Sequence, residues 1–139
     1  MHTEMAAQIR IRKGALRLRK ILDEYRREIY HYNTLLRGTG YYLKPVHIVT
    51  RNTPTGRKTY HYYGRYWWRL EKKKVEGRSR LKWRYIGRQK PSELKHLPDP
   101  PRNPLEGFRC RVEGEDIIVK KDMFEKYKHL FEGLEIVEA

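Results

Sequence analysis

Cysteine, serine and the side-chain amides are nearly missing: the 139 residues hold one Cys, two Ser, two Gln and three Asn. A single Cys110 excludes an internal disulfide and every multi-cysteine zinc arrangement, and reads as a small buried hydrophobe. The six histidines, His2, His31, His47, His61, His96 and His129, are scattered without an i, i+4 pair, so no metal site is expected. Nucleophilic catalysis lacks its partners, because Cys110 has no histidine near it in sequence and Ser79 sits among cations with no base. No Gly-x-x-x-x-Gly-Lys loop is present, and the basic centre of the chain has only Glu71 and Glu76 to hold a magnesium ion. The expectation is a protein that is not an enzyme and carries no cofactor. No run approaches the roughly 18 apolar residues that cross a membrane, and Arg and Glu stud the stretch where a signal peptide would be apolar. A cytoplasmic place, at nucleoid or ribosome, is therefore expected. Few thermolabile amides beside abundant Lys, Arg, Glu and Tyr suit a thermophilic archaeon.

What the chain has in excess is positive charge. Thirty-two Lys and Arg face 17 Asp and Glu, a net charge of +15, with 38% hydrophobic and 12% aromatic residues. That composition folds and buries a core, and its charge asks for a polyanion, nucleic acid first. The excess is localised. Residues 1–37 carry +5, 38–90 carry +13, 91–107 carry −1 and 108–139 carry −2. A basic segment beside an acidic one reads as a dedicated binding face.

Residues 1–37 read as one long basic amphipathic helix. Ile11, Ala15, Leu18, Leu22, Tyr25, Ile29, Tyr32 and Leu36 alternate steps of four and three, and Arg37-Gly38 supplies a helix stop. The seam packs on the chain's own sheet or forms a homodimer through Ile11, Leu18, Leu22 and Ile29. Cations off the seam, Arg12 and Arg19 among them, are candidate phosphate contacts.

Residues 38–90 read as a three-stranded antiparallel sheet. Strands at 41–50, 58–70 and 78–87 are separated by the Pro54 and Gly56 turn and the charged 71–77 hairpin, with Pro45 marking an edge. Alternation sorts the third strand into Leu81, Trp83 and Tyr85 against Arg80, Lys82, Arg84 and Arg88. In the second strand, Tyr60, Tyr62, Tyr66, Trp68 and Leu70 join the apolar set against the helix. That leaves Tyr63, Arg65, Trp67, Arg69, Arg80, Lys82 and Arg84 on an open face, where cations would neutralise phosphates and rings stack on bases. Lys72, Lys73, Lys74, Arg78 and Arg88 extend this set through the hairpin and the strand end.

Thr59-Tyr60-His61-Tyr62-Tyr63, Tyr66-Trp67-Trp68-Arg69, Gly77-Arg78-Ser79-Arg80 and Lys82-Trp83-Arg84-Tyr85-Ile86-Gly87-Arg88 resemble a short uncharacterised archaeal and phage domain that ends in Tyr-Ile-Gly-Lys. More distantly they are similar to the arm-type DNA-binding sheet of tyrosine recombinases. That resemblance implies a sheet laid in a DNA groove, with Tyr63, Arg65, Trp67, Arg69, Arg80, Lys82 and Arg84 as contacts. Neither catalytic domain nor recombination is implied, and the Lys72-Lys73-Lys74 hairpin is longer than the pattern.

Five prolines make 91–107 a stiff connector. Beyond it, alternating Phe108, Cys110 and Val112, a turn at 113–116, a return at 117–119, a helix capped at Asp122 with Glu125, and a last strand at Ile136 and Val137 read as a small acidic module. This module is expected to pack locally or meet a protein partner. The fold class expected is α+β: a long N-terminal helix, a three-stranded sheet and this C-terminal hairpin–helix module. The function expected is duplex DNA binding as a chromatin-like, mobile-element or viral regulatory factor. RNA or ribosome association, and genome coating by a self-assembling structural protein, are the alternatives; no membrane partner is expected.

Overall fold

The computed structural model describes residues 7–139. Positions 1–6 of the expected helix, with His2, lie outside the described residues. The described residues begin with a strand, β1 (Gln8–Ile11), followed by α1 (Gly14–Leu35), β2 (Tyr41–Thr53), β3 (Gly56–Val75) and β4 (Arg78–Gly87). After a 3-10 turn at Ser92–Leu94 come β5 (Arg109–Glu113), β6 (Asp116–Lys120), α2 (Lys121–Tyr127), a second 3-10 turn at Lys128–Phe131 and β7 (Ile136–Glu138).

The seven strands of the described residues form one antiparallel sheet ordered β2-β3-β5-β6-β1-β7, with β4 pairing β3 beyond the reach of β5. This architecture differs from the expected one in three ways. The first described element is a strand, β1, that inserts between β6 and β7. Among the described residues the sheet has seven strands, not three. Residues 108–139 form no separate hairpin–helix module, because β5 continues the ladder of β3 and passes it to β6.

The apparent heptad seam runs across a break. Ile11 ends a strand whose Ile9 and Ile11 point into the core, and Lys13 then takes the left-handed conformation with φ 61°. Asp116 receives the Lys13 backbone N–H at 2.9 Å through Oδ1 and Arg10 Nη1 at 3.1 Å through Oδ2, which fixes the corner. Gly14 follows because α1 starts in contact with β6: a Cβ there would lie 2.5 Å from Ile117 Cγ1. Helix propensity alone favours alanine at this site by about 1 kcal/mol. Overpacking dominates, so Gly14→Ala is expected to destabilise the chain by about 1–3 kcal/mol, read as a lower Tm.

The same corner predicts an acid response. The Lys13 N–H, followed by Arg10, holds the Asp116 carboxyl below its ordinary pKa, and the Arg10 hydrogen bond does the same for Glu113. Groups depressed in the folded state stabilise it above their unfolded pKa of about 4 and lose that contribution as pH falls through the folded values. Urea midpoints should therefore drop on acidification below about pH 4. Asp116→Asn should flatten that drop and lower the midpoint at neutral pH.

From Leu18 onward the seam is real and is consumed internally. Leu18, Leu22, Tyr25, Ile29, Tyr32 and Leu36 are buried with Leu43, Tyr63, Trp67, Cys110, Ile117 and Val119 in one core. Ile11, Leu18, Leu22 and Ile29, read from sequence as a homodimer contact, are each at most 4% exposed within the chain's own core. The proline-rich stretch is tied to the seam itself. Tyr25 and Tyr32 donate their hydroxyls to the carbonyls of Pro101 and Pro98, while Leu94 and Leu105 enter the core. Buried Asn103 donates to the Pro45 and Gly64 carbonyls and accepts the Leu105 N–H. It thereby satisfies the backbone at the bulge where the β2–β3 register shifts.

Candidate nucleic-acid interface

Cross-strand partners decide which side of β3 is core. His61 and Thr59 face Cys110 and Val112 of β5, and Trp67 faces Leu43 of β2. Tyr60 and Tyr62 instead face Arg111 and Arg109. The odd side of β3 is thus the apolar one, and it packs on α1: Trp67 is 1% exposed and meets Tyr32 edge-on at 6.2 Å, while Tyr63 lies against Phe108 at 5.9 Å. Tyr63 and Trp67, expected on the open face, are core residues.

The even rings and the apolar residues of β4 turn away from that core. Trp68 pairs with Tyr85, Leu70 with Trp83 and Lys72 with Leu81, so the expected grouping holds while its side is reversed. His47 sits at the centre, stacked on Tyr85 at 5.0 Å and within 6.5 Å of the Tyr62, Tyr66 and Trp68 ring centroids. Lys44 lies over Trp68 and Arg51 over Tyr60, adding cation–π contacts.

Beyond Arg69 the sheet narrows to a ribbon. Leu70 donates its N–H to the Gly40 carbonyl at 2.7 Å, after which β3 has only β4 as partner among the described residues. Residues 70–75 and 78–83 therefore project as two strands for roughly 20 Å. Glu76 and Gly77, both with positive φ, close the end in the turn that two-residue hairpins favour. Lys73, Arg80, Lys82 and Arg78 share one side of the ribbon, and Lys72 and Lys74 flank Leu81 on the other. Leu81 is 63% exposed and Trp83 44%. Glu71 is already held by Arg84 at 2.9 Å, leaving Glu76 as the one other carboxylate of the ribbon.

The remaining expected contacts are dispersed. Arg65 is paired with Glu106 at 2.8 Å, Arg69 lies over Tyr41, and Arg12 is engaged by Glu135 at 3.0 Å. Arg19 is exposed on α1 beside a cleft that it shares with Arg26 and Lys44, away from the ribbon. Arg88 is exposed just past β4. The ribbon thus brings together Lys72, Lys73, Lys74, Arg78, Arg80 and Lys82. Arg109, Arg111 and Lys120 were missed as partners of the basic face, although the alternation of Arg109 and Arg111 with Phe108, Cys110 and Val112 carried the signal.

Cys110 lies beneath this face, and burial pushes its thiol up to about 12, so it stays protonated at neutral pH. No helix among the described residues is long and apolar enough to cross a membrane. No protein family, curated protein or solved structure matches the chain.

Proposed function

We propose that the chain binds double-stranded DNA by inserting the β3–β4 ribbon into a groove, which would place it at the nucleoid. The observation that carries this reading is a two-stranded projection with cations on both sides and almost no carboxylate to neutralise them. A ribbon inside a groove has a phosphate wall on each side, so cations on both faces are useful there. The major groove of B-form DNA, about 12 Å wide, admits a two-stranded ribbon. The deep, narrow major groove of A-form RNA does not, which favours DNA as the duplex. Exposed Leu81 between Lys72 and Lys74 supplies an apolar contact at the groove floor or between base steps.

The test is a salt series with a short duplex and the full chain. If all six ribbon cations reach phosphates, log Kd against log salt concentration should have a slope of magnitude about 5. A slope near zero, or no binding at low salt, would remove the ribbon reading.

A further inference from the structure

The sheet face turned away from α1 holds a second arrangement that the ribbon does not use. Tyr62 and Arg109 are cross-strand partners and form a ridge between two clefts. One cleft, about 390 Å³, is walled by Tyr66, Arg65, Arg88 and Glu106. It exists because the β4 ladder ends opposite Trp67 and the β5 ladder begins opposite Tyr62, which leaves a gap along this edge of β3. The other, about 290 Å³, is walled by Gln8, Tyr60, Arg111 and Lys120.

The charges around the ridge are uneven. Glu106 is taken by Arg65, and Glu113 by Arg10 and Arg111. Arg88, Arg109 and Lys120 have no acidic partner among the described residues. Arg111 keeps a buried Nε with no hydrogen-bond partner among the described residues, beside the smaller cleft.

We propose that this face binds nucleotides of an unpaired nucleic-acid strand, a base stacking at Tyr62 and the flanking phosphates held by Arg88, Arg109 and Lys120. The proposal rests on the nucleic-acid reading above and adds a second form of the ligand. A ring between two cationic clefts matches a polymer that alternates flat bases with phosphates. A duplex presents base edges in its grooves and hides base faces, so stacking requires an unpaired base. The chain then holds duplex on the ribbon and the adjoining single strand on the sheet, and a duplex with a single-stranded extension is its tightest ligand.

The test is fluorescence anisotropy of the full chain at one fixed salt concentration with three probes: a blunt duplex, an oligothymidylate, and the same duplex with a thymidylate overhang. Arg88→Ala with Arg109→Ala changes two exposed side chains and leaves the core alone; Tyr62→Ala removes the ring. Each variant should weaken oligothymidylate binding roughly tenfold and duplex binding less than twofold. The overhang should gain at least tenfold over the blunt duplex in the native chain and lose that gain in both variants. If the native chain binds the strand in this manner but not the duplex, the ribbon reading falls and this one stands. Unchanged strand binding in the arginine variant overturns this proposal whatever the duplex does. Thymidine monophosphate binding as tightly as the oligomer would overturn the strand in favour of a free nucleotide. Equal competition by inorganic phosphate would overturn the stacking contact.

Discussion

Replacing Lys72, Lys73, Lys74 and Arg80 with alanine should nearly abolish duplex binding at physiological salt while leaving the fold intact. All four side chains are exposed on the ribbon, and none has a carboxylate partner among the described residues, so the folded state loses little with them. Each phosphate contact contributes about 0.9 to the salt slope, so the slope should fall by between 3 and 4 in magnitude. Binding that remains should be uniform across sequences, since phosphate contacts carry no base information. An unchanged slope would mean that the duplex meets another surface. Removing only Lys73 and Arg80, neighbours on one side, should lower the slope by about half as much.

Trp67→Ala and Trp83→Ala should behave oppositely, and the contrast separates core from surface. Trp67 is among the largest fully buried side chains and packs between Tyr32 and the Leu43 strand, so its truncation should cost about 3–5 kcal/mol. Against a total stability of about 5–15 kcal/mol, that variant should be partly unfolded near 37 °C, with a cooperative transition shifted far down in urea. Trp83, half exposed on the ribbon and touching Tyr42 at 5.7 Å, should cost at most about 1 kcal/mol and instead weaken nucleic-acid binding. A stable Trp67→Ala variant with impaired binding would restore the open-face reading of that ring.

What could be read from the sequence was local. Gly38 ends the first helix region, the Pro54 and Gly77 turns separate three strands, and alternation grouped Tyr85, Trp83 and Leu81 with the even rings of β3, as the ladder has them. What could not be read was long-range. Both sides of β3 are aromatic, so its own composition does not say which side is core; that information sits about fifty residues away, in Cys110 and Val112 opposite Arg109 and Arg111. Reading β5 as part of a detached module hid it. β1 was lost for a similar reason, because Ile11 is in phase with the helix seam although Lys13 breaks the helix. The ribbon cations were legible because their signal is charge without counter-charge, which needs no tertiary partner.

The most direct test of the ribbon as the duplex contact is an amide chemical-shift map of the full chain titrated with a short DNA duplex. The largest changes should fall within 70–84, around Lys72, Lys73, Lys74, Leu81 and Lys82, with α1 and the buried sheet face undisturbed. Changes spread over α1, or centred on 108–120 with the ribbon silent, would contradict it.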